Sequence, residues 1–202
     1  MLTATGQVNH RLLLPAHEPD RPWPIYRSAA QLASAPAQLA ASTGTYLDLR
    51  TEREIQRDGA PHGLLGRGWQ WVRMPIDDTG TYGPDEVLER TLQAARTAWR
   101  STADAQVVVA CSLGKDRTGR VAAVLLTWAG HSDDGVLADY LRSNAELRRA
   151  ASKLPERWRR PGAVTLARCS DLDDVFAALR DDPRWAVPPS RRWKSRKERE
   201  IK

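Results

Sequence analysis

Three apolar segments of the chain have the pattern of β-strands. Residues 44–50 contain tyrosine and leucine, which favour extended structure, and residues 69–76 alternate apolar and polar side chains. Residues 105–110 form an unbroken apolar run, which is typical of a strand buried on both faces. The pattern therefore predicts three strands, with 105–110 in the middle of a sheet.

Between these strands the apolar positions take the spacing of helices. Residues 84–101 begin with a proline, which suits the first helical position, and carry an apolar face. Residues 118–129 are almost wholly apolar and predict a buried helix, and shorter helices are expected at 136–141 and 171–182. Strands that alternate with helices predict an α/β fold. We expect a single domain with a central, mostly parallel sheet flanked by helices on both faces.

Four further segments lack a clear period. Residues 1–26 are expected to be an extended arm, and residues 59–68 a glycine-rich connection. Residues 150–170 are basic and are expected to be a connecting loop, with a lid or substrate-specific insert as the alternative. Residues 189–202 form a basic tail, for which a solvated terminus is expected. The folded domain is therefore expected to span residues 1–188.

The composition narrows the class of protein without giving its activity. The chain has 202 residues, 41% of them hydrophobic and 28% charged, as is usual for one globular domain. A net charge of +6 favours anionic partners but predicts no specific nucleic acid site. Two cysteines are too few for a disulfide scaffold, and neither a signal sequence nor a transmembrane segment is evident. A cytoplasmic location is expected, and the scattered histidines predict no metal and no cofactor.

Residues 111–119 concentrate reactive and charged side chains where the buried strand ends and the apolar helix begins. A loop that curls into the first turn of a helix directs its free backbone N–H groups at one point and forms an anion nest. The residues expected to bind a phosphate there are Ser112, Leu113, Gly114, Lys115, Asp116, Arg117 and Thr118.

Three side chains of this loop predict its chemistry. The planar fork of Arg117 can hold two oxygens of a tetrahedral dianion. Positive surroundings favour the thiolate of Cys111, which then faces the bound phosphate and can attack it in line. Thr118 can donate a hydrogen bond to the sulfur and help it leave afterwards. The sequence therefore predicts a covalent phospho-cysteine.

The loop sequence C-S-L-G-K-D-R-T-G resembles the phosphate loop of cysteine-dependent protein tyrosine and dual-specificity phosphatases, whose pattern is Cys, five residues, Arg, then Ser or Thr. Its ending, G-K-D-R-T-G, is similar to the bacterial branch called the tyrosine phosphatase family. The segments D-L-R-T-x-x-E, from Asp48, and D-Y-L-x-S-N, from Asp139, extend the resemblance over roughly residues 26–150. One departure is Ala110, which stands where the family usually has a histidine that orients the loop.

The resemblance also implies roles for residues outside the loop. Asp48, Arg50 and Glu54 are expected to be structural and to brace the strand against the following helix. Arg27 precedes a serine, as in the family. It is expected to form a surface ion pair, with a position near the phosphate pocket as the alternative.

Related phosphatases carry a general acid, an aspartate, on a loop after the strand that precedes the phosphate-loop strand. Asp77 and Asp78 both qualify by position, and the alternative is an Asp-rich turn held by its own side-chain hydrogen bonds. Asp116, inside the loop, is a third candidate. A carboxylate beside an anion site is unfavourable unless it is protonated or turned towards the leaving group, which favours a functional role for Asp116.

The predicted activity is metal-independent hydrolysis of a phosphate monoester, with a phosphotyrosine protein or a phosphoinositide as substrate. Phosphoinositides are included because Lys115 adds positive charge beyond what one phosphate needs. A small phosphorylated metabolite, such as a sugar or nucleotide, is the first alternative. A phosphate-binding module without turnover is the second, because of Ala110. A rhodanese-like sulfur carrier is disfavoured by the R-T-G ending, and the oligomeric state is left open.

Overall fold

The computed structural model describes residues 9–14, 24–30, 43–77, 82–101 and 106–187. The predicted acid Asp78, the basic tail at 189–202 and residues 1–8 and 15–23 of the expected arm lie outside these ranges. The strands of the described part are β1 (Arg11–Leu14), β2 (Ile25–Ala29), β3 (Gly44–Asp48), β4 (Gln70–Arg73) and β5 (Gln106–Cys111). Its α-helices are α1 (Glu52–Asp58), α2 (His62–Leu65), α3 (Pro84–Arg100), α4 (Asp116–Trp128), α5 (Asp133–Ala150), α6 (Glu156–Arg159) and α7 (Asp173–Asp181).

The strands form one sheet in the order β1-β2-β5-β3-β4. β5 pairs in parallel with β2 and β3, β4 pairs in parallel with β3, and β1 joins the edge of β2 in antiparallel orientation. The register places Ala29 and Asp48 opposite Cys111 and Ala110, respectively. The carboxyl ends of β2, β3 and β5 therefore meet where the phosphate loop begins, and the predicted α/β fold is confirmed.

Successive residues of β5 face two cores, which explains its unbroken apolar run. Val107 and Val109 belong to the larger core, where α3, α4 and α7 contribute buried side chains. Val108 belongs to a second cluster on the opposite face, together with Leu64 of α2 and Trp69. A strand with helices over both faces has to be apolar at every position.

The predicted helices are present, and their bounds differ from the prediction most notably for two of them. α4 begins at Asp116 rather than at residue 118, and α5 continues to Ala150 rather than ending at residue 141. The early start of α4 places Asp116 and Arg117 in its first turn. Among the described helices, none combines the length and the apolar character that crossing a membrane requires.

Four elements were missed by the sequence analysis. The expected arm contributes β1 and the first two residues of β2 to the sheet, and the predicted connections at 59–68 and 150–170 contain α2 and α6. Each of these elements has only four or five residues, so too few positions were present to reveal a period.

Candidate active site

Cys111 is the last residue of β5, and its side chain is buried. Residues 112–115 connect it directly to α4. The backbone N–H of Ala30 donates to the Cys111 carbonyl at 2.7 Å, and that of Leu49 donates to the Ala110 carbonyl at 2.8 Å. The chain segments that follow β2 and β3 therefore hold the base of the loop from both sides.

Gly114 lets the loop pack directly on the end of β2. Its φ is +65°, and a Cβ there would lie 2.5 Å from the Ser28 carbonyl carbon and 2.6 Å from the Ala29 nitrogen. Both the backbone conformation and the close approach exclude a side chain at this position. This explains physically why the loop sequence has glycine here.

The backbone N–H groups of Gly114, Lys115 and Asp116 have no hydrogen-bond acceptor among the described residues. They lie where the loop enters the first turn of α4, a helix of 13 residues whose dipole favours negative charge at this end. Unpartnered N–H groups at a helix N-terminus are suited to binding an anion. The geometry fits the predicted phosphate nest.

Arg117 is fixed by an ion pair with Glu54 of α1. Its Nη1 and Nη2 each lie 2.6 Å from a Glu54 carboxylate oxygen, and the side chain of Arg117 is only 4% exposed. Nη1 also reaches the carbonyls of Leu49 at 3.3 Å and Ile76 at 3.2 Å. These contacts hold the plane of the guanidinium at the end of the sheet, as bidentate Arg–carboxylate pairs do.

The acidity of Glu54 reflects this pairing. Burial by itself would raise its pKa, but hydrogen bonds and charge from Arg117, with a hydrogen bond from the Ser112 hydroxyl, lower the pKa to about 2. Glu54 also accepts the backbone N–H of Thr51 at 2.9 Å and completes a capping box on α1. The expected bracing role is therefore incomplete, because Glu54 also holds the arginine of the loop.

Lys115 and Asp116 form a second ion pair within the loop. The Lys115 side chain is buried, whereas the Asp116 side chain is 46% exposed. The ammonium group offsets the charge of the neighbouring carboxylate. This pairing reduces the cost that the sequence analysis expected for a carboxylate beside an anion site.

Two of the candidate acids share one cavity with the loop arginine. A cavity of about 530 Å³ is lined by residues that include Asp77, Asp116, Arg117, Arg120 and Tyr82. Asp77 is buried and lies after β4, as expected from the chain order. The structure therefore brings Asp77 and Asp116 together around Arg117.

Thr118 and Ser112 differ in their side-chain hydrogen bonds. Thr118 is fully buried, and its Oγ1 has no hydrogen-bond partner among the described residues, so the predicted bond to the Cys111 sulfur is not formed. The Ser112 hydroxyl donates to Glu54. Assistance from Thr118 to the leaving sulfur remains a prediction.

Arg27 is completely buried beneath the loop, which corrects the expectation of a surface ion pair. Its partner is Asp139 of α5, and its Nη2 donates to the Gly114 carbonyl at 2.8 Å. Ser143, also on α5, accepts from the same nitrogen at 3.2 Å. The sequence signals for these contacts were the R-S step and the D-Y-L-x-S-N segment, which did not indicate that the two segments meet.

Asp48 and Arg50 have the structural role that was expected. Arg50 Nε and Nη2 lie 2.9 Å and 2.7 Å from the two Asp48 carboxylate oxygens, and both side chains are buried. Arg50 Nη1 donates to the Gly59 carbonyl at 3.1 Å, which ties β3 to the end of α1.

The basic segment that contains α6 packs beside the loop rather than forming a free connection. Leu113 lies in an apolar cluster with Leu147 and Leu154, and Trp158 packs against this cluster. Arg157 pairs with Asp58 of α1 at 2.7 Å. The segment therefore forms a wall next to residues 112–113.

Among the described residues, no group of three or more His, Cys, Asp and Glu side chains is arranged to hold a metal ion.

Comparisons with known proteins extend this description. Residues 21–182 match the model of the tyrosine phosphatase family. Among solved structures, human DUSP28 gives a TM-score of 0.44 at 19% identity, covering 85% of this chain and 94% of that one. Tk-PTP in its active form gives 0.44 at 20% identity, covering 66% and 91%. The core catalytic domain of the PP-IP phosphatase SIW14 from S. cerevisiae, in complex with citrate, gives 0.46 at 16% identity, covering 89% and 94%. No curated protein matches the chain.

The sheet, the loop that follows its central strand and this family match together define the class of protein as a phosphatase of the tyrosine phosphatase type. The family match covers most of the sequence. The chain belongs to the tyrosine phosphatase family.

Proposed function

We propose that this protein hydrolyses phosphate monoesters through a covalent intermediate on Cys111, without a metal ion. The observation that carries this proposal is the composition of one loop. Between β5 and α4 it combines the Cys111 thiol, N–H groups without an acceptor among the described residues, and the guanidinium that Glu54 fixes. A nucleophile next to a preformed dianion site is the arrangement that phosphoryl transfer to a side chain requires.

The proposed reaction has two steps. In the first, the Cys111 thiolate attacks phosphorus, a P–S bond forms, and the P–O bond to the alcohol breaks while an aspartic acid protonates the leaving oxygen. In the second, the aspartate takes a proton from water, the water oxygen bonds to phosphorus, and the sulfur leaves as thiolate. Asp77 and Asp116 are the acid candidates of the described chain because both line the cavity next to Arg117. Asp78 stays a candidate from its sequence position.

The proposed substrate is a phosphotyrosine protein or a phosphoinositide. Cys111 and Arg117 are only 2% and 3% exposed, which supports a substrate whose phosphate reaches into a recess. The wall formed by α6 contains two arginines, Arg157 and Arg159, which supports an anionic substrate near residues 112–113. A small phosphorylated metabolite is the alternative. Since a thiolate nucleophile works only while it is reduced, the proposal also favours a reducing compartment such as the cytoplasm.

Phosphate release from an aryl phosphate in the presence of a metal chelator tests the proposal. Wild-type protein should turn over, Cys111→Ser should not, and Cys169→Ser should match wild type because Cys169 is exposed and lies outside the site. Rapid acid quenching followed by mass spectrometry should detect a phosphoryl adduct on a peptide that contains Cys111. A panel of phosphotyrosine peptides, phosphoinositides and sugar phosphates then separates the substrate classes.

Two results would contradict the proposal. Full activity of Cys111→Ser would exclude the covalent step on this cysteine. Vanadate binding by wild type without turnover of any ester in the panel would indicate the phosphate-binding module instead.

A further inference from the structure

Two side chains that lie far from the phosphate loop in the sequence donate hydrogen bonds to its carbonyl groups. Asn9 Nδ2 donates to the Leu113 carbonyl at 2.8 Å, and Arg27 Nη2 donates to the Gly114 carbonyl at 2.8 Å. Both side chains are fully buried. Asn9 has a φ of 53°, a left-handed conformation that asparagine tolerates better than most residues.

Because the peptide bond is planar, these two contacts also fix the direction of two N–H groups of the nest. In a trans peptide, the carbonyl of one residue and the N–H of the next point in opposite directions. A Leu113 carbonyl directed at Asn9 therefore directs the Gly114 N–H away from Asn9, and the contact with Arg27 does the same for the Lys115 N–H. Both N–H groups lack an acceptor among the described residues.

We propose that Asn9 and Arg27 are positioning residues, which aim the N–H groups of Gly114 and Lys115 at the bound phosphoryl group. The inference rests on the proposed function, because it assigns these N–H groups to the phosphate of the substrate. Donors that are fixed before the reaction stabilise developing charge without reorganisation, so their aim affects the transition state more than the bound ester.

A buried charge cluster fixes Arg27 in turn. Asp139 pairs with Arg27 and, at 2.8 Å, with Arg11, and Arg11 also lies 3.3 Å from Glu146. Two arginines and two carboxylates balance one another beneath the loop. Burial by itself would raise the pKa of Asp139, but the charges of Arg27 and Arg11 hold it below its ordinary value, so the carboxylate stays ionised. The physical role of Asp139 in the D-Y-L-x-S-N segment is therefore to hold the Arg27 guanidinium in place.

Three variants of the full chain test the inference. Asn9→Gly keeps the left-handed backbone accessible and removes the donor to Leu113. Arg27→Lys keeps the charge but not the fork that reaches Gly114, Asp139 and Ser143 together. Leu14→Val is the matched control, because it shortens a buried side chain of β1, the strand that begins shortly after Asn9, and leaves both donors in place. Thermal melting selects a temperature at which all variants are folded.

The measured quantities are vanadate affinity, kcat and KM for an aryl phosphate, and the amide resonances of Gly114 and Lys115 in ¹⁵N spectra. We expect Asn9→Gly and Arg27→Lys to lose about tenfold to hundredfold in kcat and in vanadate affinity, with a smaller change in KM. The two amide resonances should shift in these variants and remain in place in Leu14→Val. Should Arg27→Lys fail to fold, Asn9→Gly alone carries the test.

The possible results separate this inference from the proposed function. Unchanged kcat, vanadate affinity and amide resonances in Asn9→Gly would overturn the positioning role while leaving the phosphatase intact. Equal losses in Leu14→Val would also overturn it, since the effect would then follow stability. If wild type neither binds vanadate nor releases phosphate, the proposed function fails, and the positioning of the phosphoryl group fails with it.

Discussion

Both terminal nitrogens of Arg117 lie 2.6 Å from the carboxylate oxygens of Glu54. Glu54 occupies the third position of α1, where it also closes the capping box with Thr51. One carboxylate therefore joins the start of α1 to the phosphate loop, and the orientation of the loop arginine depends on a helix 63 residues earlier in the chain.

Glu54→Gln should lower both stability and activity. The substitution leaves the guanidinium of Arg117, whose side chain is 4% exposed, without its counter-charge. Removing one partner of a buried pair costs about 3 kcal/mol of unfolding free energy. We expect a loss of that order in urea unfolding and a fall in kcat/KM, because the arginine loses its fixed plane.

Glu52→Gln on the same helix is the control for this variant. Glu52 pairs with Arg73 at the surface, so its replacement should leave both the urea midpoint and kcat/KM unchanged. Equal effects of the two variants would contradict a special role for the Glu54–Arg117 pair.

The low pKa of Glu54 predicts a defined loss of stability in acid. Its pKa is about 2 in the folded protein and 4.5 ordinarily, so below pH 4.5 the unfolded chain binds a proton that the folded protein does not. The stabilisation is complete above pH 4.5 and is lost as the pH falls from 4.5 towards 2. The full change corresponds to about 3 kcal/mol. Unfolding free energy measured against pH should show this slope in wild type and a shallower one in Glu54→Gln.

Gly114→Ala should distort the loop, and Gly130→Ala provides a matched comparison. Both glycines have positive φ, +65° and +83°, but a Cβ at Gly130 meets nothing within 4 Å, whereas one at Gly114 meets the backbone of β2 at 2.5 Å. Gly130→Ala should cost about 1 kcal/mol through backbone strain and keep its activity. Gly114→Ala should cost more in thermal unfolding and lose turnover. Wild-type turnover in Gly114→Ala would show that the loop tolerates the displacement.

The general acid can be identified by its dependence on the leaving group. Asp77→Asn and Asp116→Asn each remove one carboxylic acid from the cavity next to Arg117. Loss of the true acid should lower kcat about 10²–10³-fold for an ester with a basic leaving alcohol, and much less for one whose leaving group needs no proton. The rates of both variants with the two esters decide the assignment. If both respond equally to the two esters, neither is the acid, and Asp78→Asn becomes the variant to measure.

Much of this protein is encoded locally. The apolar run before Cys111, the glycines and the apolar helix that follows specify a strand, a tight loop and a helix within about 25 residues. The capping box at Thr51 acts locally in the same way, since it satisfies N–H groups within one helical turn. The proline at the start of α3 lacks one of the N–H groups that a helix start leaves without a partner. The α/β fold and the loop between β5 and α4 followed from such signals.

The contacts that orient the N–H groups of the phosphate loop could not be predicted from local sequence signals. Asn9 meets Leu113 across 104 residues, and Arg27 meets Asp139 across 112. Glu54 was expected only to brace the strand against the helix that follows it, but it also meets Arg117 across 63 residues. A single buried arginine or asparagine adds nothing to the apolar periodicity. In the sequence it therefore cannot be distinguished from the same residue at the surface. The sequence by itself determined the strand, loop and helix on which Cys111 and Arg117 lie, because these elements form from neighbouring residues. The tertiary structure decided which way the side chains and N–H groups of this loop point. The sheet order brings the ends of β2 and β3 beside the loop, and the packing of α5 places Asp139 against Arg27.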